Sequence, residues 1–233
     1  MFSFDSSIIH FLNQYSRQSE TIDFFIRFIS GNHLIKGGVL LLLFWWAWYK
    51  ESDKQDHHRP QLISTLFSCF IAIIIARGLA LLLPFRLRPL HDSDLIFTLP
   101  YGMKPTLLEG WSSLPSDHAV LFYTLSTGLF IVSRRAGLFA LVYTTLFIAL
   151  PRIYLGLHFP TDILTGALVG IAVALACNGS LFTSRVSTPV LNWSYTQPQF
   201  FYPLFFLLCY QIADMFDSAR AIIGFLATLY KTI

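Results

Sequence analysis

Apolar residues run almost unbroken through five stretches of the chain, 34–49, 61–85, 115–132, 137–155 and 160–178. A helix needs about 20 mostly apolar residues to cross a hydrocarbon core, because every backbone N–H and C=O must be paired inside the segment. Each stretch is therefore read as a membrane span. A sixth begins near Phe200 but meets Asp214, Asp217 and Arg220, so 201–212 spans in part and 219–230 lies along the interface. At the start of the chain Ile8, Ile9, Phe11 and Leu12 alternate with Asp5, Asn13, Gln14 and Arg17. That mixture has neither the basic region nor the cleavage site of a signal peptide; it predicts an interfacial amphipathic helix within 1–30. The expected fold is all-α: a polytopic membrane helix bundle of about six transmembrane helices with an N-terminal interfacial amphipathic helix.

Composition agrees: 55% of the 233 residues are hydrophobic, 12% are charged and the mean hydropathy is +0.59. Such a chain is membrane-embedded. It reads as a single membrane domain, 1–233, with a core at 61–178, a polar linker at 183–199 and a C-terminal segment within 183–233. The net charge of +3 is not gathered into a basic block, so no nucleic-acid partner is expected. Lys50, Lys54 and Arg59 share one connection, Arg134 and Arg135 another, and Arg185 follows the 160–178 stretch. The positive-inside bias makes these connections cytoplasmic. Alternation then puts 86–110 and 152–162 together on the opposite face, the periplasm or exterior if the membrane is a bacterial inner membrane. Cys69, Cys177 and Cys209 lie in apolar stretches without a CxxC pair and are read as small buried hydrophobes. Trp45, Trp46 and Trp48 are read as an interface belt. His57-His58 and His91-Asp92-Ser93-Asp94 lack a partner at ligand spacing and are read as solvated loops, so no metal site is assigned.

Two polar segments on the predicted outer face carry chemistry. Leu114-Pro115-Ser116-Asp117-His118 opens an apolar helix, with proline near its first turn. Free amides, a serine hydroxyl and the positive end of the helix dipole favour an anion there, with His118 alongside. The run Pro151-Arg152-Ile153-Tyr154-Leu155-Gly156-Leu157-His158-Phe159-Pro160-Thr161-Asp162 reads as a helix end, a tight turn at Gly156 and a new helix from Pro160. Asp162, four residues after His158, can reach back to fix the imidazole tautomer. Gly166, Gly170 and Ala174 continue that helical row as a small-residue stripe suited to close helix packing. Arg88-Pro89 adds a guanidinium able to grip two phosphate oxygens.

The order Arg-Pro, then Pro-Ser-x-His, then Arg with His six later and Asp four after that resembles the type-2 phosphatidic acid phosphatase superfamily over about 61–178. That superfamily includes bacterial undecaprenyl-diphosphate phosphatases, glucose-6-phosphatase and the soluble vanadium haloperoxidases. The resemblance implies a lipid phosphatase in which His158 attacks phosphorus to form a phosphohistidine, Asp162 supports it, and His118 protonates the leaving oxygen. It also implies that Arg88, Arg152 and Ser116 hold the phosphoryl oxygens, that no metal or other cofactor is required, and that the partner is a lipid phosphate or diphosphate in the bilayer.

Two positions depart from the pattern. Leu81 stands where the family has a lysine, and Arg86 is the expected substitute, ahead of Lys104 and of Arg77, which lies one turn deeper. Asp117 replaces a glycine and places a carboxylate in the phosphate-binding group, where it must cap amides or pair with an arginine. Chain length and the outward-facing site resemble the undecaprenyl-diphosphate phosphatase branch. The alternatives are a phosphatase or phosphotransferase acting on phosphatidate, phosphatidylglycerol phosphate or lipid A, and a non-catalytic transporter or scaffold on the same bundle.

Overall fold

The structure is a computed structural model, and it describes residues 3–50 and 55–232. Lys54, one of the cations used to orient the chain, and the side chain of His57 lie outside the described residues. The described chain is helical, with α1 at Ser3–Asn13, α2 at Glu20–Gly31, α3 at Leu34–Tyr49, α4 at Gln55–Leu82 and α5 at Asp117–Val132. There follow α6 at Arg134–Tyr154, α7 at Pro160–Cys177, α8 at Thr188–Thr196, α9 at Pro198–Ala213 and α10 at Asp217–Thr232. Two helices contain π-helical turns, α3 over Leu34–Gly38 and α6 over Thr144–Ala149.

Among the described residues three helices are long and apolar enough to cross a membrane: the His58–Leu82 part of α4, then α6 and α7. The pair α2 and α3, bent by 64° at a short break, makes a fourth if it counts as one span. Helix α5 is apolar but shorter, and it sits at the centre of the bundle between α4, α6 and α7. Its neighbour α7 brings Gly166 and Gly170 against it: a Cβ on Gly170 would stand 2.4 Å from the Val120 carbonyl oxygen, and one on Gly166 2.8 Å from that of Ser116. The small-residue stripe thus meets the backbone of α5, as the sequence predicts. Thr124 exploits the approach by donating to the Gly170 carbonyl at 3.1 Å.

The end of the bundle away from the polar loops holds the main core, in which Phe44, Leu62, Leu66, Phe122, Leu125 and Phe205 are buried together. Trp48 belongs to this core, fully buried and 4.9 Å from the Phe205 ring, and so is no part of an interface belt. Trp46 remains half-exposed beneath the Lys50 ammonium. The 183–199 stretch is helical rather than a linker, through Thr183–Ser187 and then α8. It is held by Ser187, whose hydroxyl pairs with that of Ser64 on α4 at 2.6 Å. The three cysteines are free and buried, as expected of small hydrophobes.

The N-terminal residues form two helices, and their polar side chains turn into the protein. Asp5 of α1 and Asp23 of α2 are fully buried. Asp23 accepts from the Tyr154 hydroxyl at the end of α6 and from the backbone N–H of Tyr101, and Asn13 exchanges hydrogen bonds with the backbone of Thr98. A purely interfacial helix would leave these groups to water; here α1 and α2 cap the polar end of the bundle.

Candidate active site

The polar end of α4, the loop 83–116, the start of α5 and the α6–α7 turn enclose a cavity of about 590 Å³. Its local geometry follows from a few residues. Arg152 closes α6, and Gly156 adopts φ +68° so that the N–H of Leu157 reaches back to the Arg152 carbonyl at 3.0 Å and that of Gly156 to Ile153. This is a Schellman closure, which glycine makes without strain. The turn presents His158 to the cavity, and Pro160 starts α7 two residues later. Arg88, held extended by the following proline, faces the same turn. Its Nη1 donates to the Leu157 carbonyl at 2.6 Å and its Nη2 to that of Ser112 at 3.3 Å.

His158 is buried, and its Nδ1 lies 2.9 Å from the Ser113 carbonyl. A carbonyl only accepts, so Nδ1 carries the proton and, in the neutral ring, Nε2 keeps a lone pair. Nε2 stands 3.4 Å from Arg88 Nη1, at the cavity. Burial pushes the His158 pKa below that of free imidazole; Arg88 and Arg152 push the same way, while Asp162 opposes them. Burial likewise brings Arg88 down to about 10, which leaves it charged at neutral pH.

Asp162 supports His158 less directly than the sequence suggests. Its nearer oxygen is 3.8 Å from Nδ1, inside ion-pair range but outside hydrogen-bond range. The carboxylate instead accepts the Phe159 N–H at 2.8 Å, as a helix-capping group, and Arg86 Nη1 at 2.6 Å. Arg86 is therefore not the phosphate-binding substitute that was expected. Three acceptors, Asp162, the Thr161 hydroxyl and Asp5, hold its guanidinium against the Phe159 ring and away from the cavity. Ser116 is also occupied: it is the N-cap of α5, its hydroxyl accepting from the Ala119 N–H, and its own N–H donates to the Asp162 carbonyl. Helix α5 begins after this cap, so Pro115 precedes the helix instead of opening it.

The cations that do line the cavity include Arg152, Arg88 and Arg77. Arg152 bonds His118 Nε2 through Nη2. Arg77, set aside in the sequence as too deep, reaches Asp117 at 2.6 Å and lies over the Trp111 ring, whereas Leu81 one turn on points outward and is 86% exposed. A guanidinium on a four-atom stem spans the distance that the backward lean of helical side chains takes away. Asp117 thus meets the second of its two predicted conditions, pairing with an arginine. The Nε atoms of Arg77, Arg88 and Arg152 are all buried without a hydrogen-bond partner. Three guanidinium groups around one cavity suit it to an anion. Lys36 from the π turn of α3, with Arg27 and Arg220, adds further positive charge; no sequence motif marks any of these. Lys104 is exposed and outside the cavity.

Among the described residues one trio has metal-compatible spacing, His33, Asp214 and Asp217, whose ligand atoms lie within 4.8 Å of one another. Asp217 is already paired with Arg220, and His33 stands 3.6 Å from Asp214.

A family model described as the PAP2 superfamily matches residues 61–185, more than half of the chain. The chain belongs to the PAP2 superfamily. Its similarity to curated PAP2 relatives is moderate. It is 34% identical over 106 residues to the bacitracin transport permease protein BcrC of Bacillus licheniformis, covering 45% of this chain and 52% of that protein. It is 26% identical over 178 residues to the lipid A 1-diphosphate synthase of Escherichia coli (strain K12), covering 73% of each. It is 24% identical over 137 residues to YbjG of the same strain, named provisionally as an undecaprenyl-diphosphatase, covering 59% of this chain and 63% of that one. The chain thus spans about half the length of the first of these relatives. Among solved structures, LpxE of Aquifex aeolicus is similar in fold, with a TM-score of 0.50 and 22% identity, over 76% of this chain and 95% of that one.

Proposed function

We propose that this PAP2 protein is an integral membrane lipid phosphatase that acts through a phosphohistidine, and that its substrate is undecaprenyl diphosphate. The observation that carries the reading is the placement of an unprotonated His158 Nε2 beside Arg88 in a cavity that Arg77 and Arg152 also line. Nε2 attacks phosphorus as the bond from phosphorus to the bridging oxygen breaks, and the electron pair leaves on that oxygen. Arg88 and Arg152 hold the phosphoryl oxygens while their charge builds up. His118, beside Arg152, gives a proton to the leaving oxygen and then takes one from the water that cleaves the N–P bond. Arginines supply the positive charge that this transfer needs, so the reaction is proposed to run without a metal.

The lipid-chain part of the reading rests on similarity to YbjG and on the bundle's membrane-spanning helices. With α5 and α9 counted beside the four longer candidates, the bundle has six spans. The site lies at the end opposite Arg59 and Arg185, and the positive-inside bias then turns it to the periplasm of a bacterial inner membrane. The test is release of inorganic phosphate from undecaprenyl diphosphate by detergent-purified protein in the presence of chelator. His158→Ala should lose at least about 10⁴-fold in rate, and an acid-labile phosphoenzyme should form with wild type alone. Activity that survives loss of His158 rejects the mechanism; activity that vanishes with chelator and returns with metal rejects the metal-free step.

Similarity to lipid A 1-diphosphate synthase over 73% of both chains favours a second reading, in which a lipid alcohol or phosphate replaces water as acceptor. Adding lipid A to the same assay separates the two: transfer yields a phosphorylated lipid in place of free phosphate.

A further inference from the structure

Lys36 is a lysine buried inside the bundle, with 4% of its surface exposed, and it lines the same cavity as His118 and Arg152. No hydrogen bond or ion pair to its ammonium is found among the described residues, and an acid that shares its cavity wall, Asp217, is paired with Arg220. Its position is fixed from three sides. The π turn at Leu34–Gly38 is capped by Asn32, whose side chain accepts the Ile35 N–H at 3.1 Å. The Tyr143 hydroxyl of α6 donates to the Ile35 carbonyl at 2.6 Å. Gly37 lies so close to α9 that a Cβ there would be 2.5 Å from Ala213 Cα. Such π turns concentrate at functional sites, and this one aims a cation into the cavity.

Each of three cavity arginines already has a partner: Arg88 Nη1 stands 3.4 Å from His158 Nε2, Arg152 bonds His118, and Arg77 is paired with Asp117. Lys36 lines the same cavity and is left as a cation for a second phosphate, beyond the one His158 attacks. An alkoxide leaving group has its charge removed by the proton from His118. A phosphate leaving group keeps negative charge after the bond breaks, and needs a fixed cation.

We propose that Lys36 binds the leaving phosphate of a diphosphate substrate, with Arg220 at the rim of the same subsite, and that this contact selects diphosphates over monophosphates. The inference rests on the phosphatase reading and names the substrate class of that site. As His158 Nε2 bonds to the outer phosphorus, the bridging oxygen takes the electron pair and leaves as part of the inner phosphate, whose new charge the Lys36 ammonium meets by hydrogen bonding.

The experiment compares kcat and KM for undecaprenyl diphosphate and undecaprenyl phosphate in wild type, Lys36→Met and Lys36→Arg. Lys36→Met should lower kcat/KM for the diphosphate by about 10- to 100-fold, the loss of one charge-assisted hydrogen bond. It should change the monophosphate by less than about 3-fold, and Lys36→Arg should recover much of the difference. Equal losses on both substrates, or no loss on the diphosphate, overturn the proposal. A second measurement is independent of turnover: the thermal shift given by inorganic pyrophosphate relative to inorganic phosphate. It should shrink in Lys36→Met and persist in Lys36→Arg; an unchanged ratio overturns the subsite. If wild type cleaves neither lipid yet the pyrophosphate shift depends on Lys36, the phosphatase reading fails while the subsite stands. Should Lys36→Met not fold, Lys36→Gln carries the same comparison.

Discussion

Arg77 and Asp117 are joined by a 2.6 Å ion pair in the wall of the candidate site's cavity. The carboxylate that looks hostile to an anion is neutralised by a cation reaching across from α4. One oxygen of Asp117 and the Nε of Arg77 remain unpartnered, so the pair holds its charges only partly satisfied. Arg77→Met should leave a bare carboxylate facing the substrate and reduce kcat/KM by about 10- to 100-fold. Asp117→Asn should free Arg77 and strengthen inhibition by inorganic phosphate. The double variant should lose less than Arg77→Met alone, and a double-mutant cycle on kcat/KM measures that coupling; strict additivity would mean that the pair has no role at the site.

Arg86 leads to a different expectation. Because it bonds Asp5, Asp162 and Thr161 outside the cavity, Arg86→Ala should leave two buried carboxylates side by side. Breaking a buried pair costs about 3–5 kcal/mol, and the partial exposure of Arg86 puts this case near the lower end. Asp5→Ala should cost about 1–3 kcal/mol, through the lost acceptor for Thr161 and Arg86. Both should lower the melting temperature in detergent while leaving the inhibition constant for inorganic phosphate unchanged. A phosphate-binding role for Arg86 would instead raise that constant.

What the sequence made legible was whatever local chemistry dictates. The Gly156 turn, the His158 and Arg152 flanks, the Gly166–Gly170 approach and the Arg88-Pro89 corner all depend on residues a few positions apart. The misreadings concern partners far away in the chain. Arg86 and Arg77 are nine residues apart with similar chemistry, and distant partners decide which of them faces the cavity: Asp5, Thr161 and Asp162 hold Arg86, and Asp117 holds Arg77. Likewise two of the polar residues in the 183–199 stretch, Thr183 and Ser187, pair with Ser64 of α4, the latter across 123 residues. Lys36 carries no motif, and a lysine at the head of an apolar run reads equally well as a snorkelling end.

Acidity should affect activity and stability together through His158. Its pKa is lowered in the folded protein, chiefly by burial, from about 6.5 in an unfolded chain. The neutral ring is the nucleophile, so kcat/KM should hold as pH falls to about 6.5 and decline only below it. On the stability side the unfolded chain binds the proton first. The stabilisation is complete above the unfolded value and is lost as pH falls through the folded one. Melting curves of wild type and His158→Gln across pH 5–8 check the sign: wild type should lose stability toward acid, and the variant should lose less.

The packing of α5 against α7 sets the distance between the capped start of one helix and the His158 turn before the other, so the glycines between them bear on catalysis as well as stability. Gly170 has no room for a side chain, since a Cβ would come within 2.4 Å of the Val120 carbonyl oxygen and 2.9 Å of the Thr124 hydroxyl. Gly78, inside α4, has nothing within 4 Å of the same position. Alanine favours a helix over glycine by about 1 kcal/mol, so Gly78→Ala should leave stability unchanged or slightly higher. At Gly170 that gain is outweighed, because backbone must move to admit the methyl and overpacking costs about 1–3 kcal/mol. Gly170→Ala should therefore lower the melting temperature. Because Ser116 on α5 is bonded to the Asp162 carbonyl on α7, separation of the helices should also reduce kcat with little change in KM. A Gly170→Ala protein as stable and active as Gly78→Ala would mean that the two helices do not approach through this stripe.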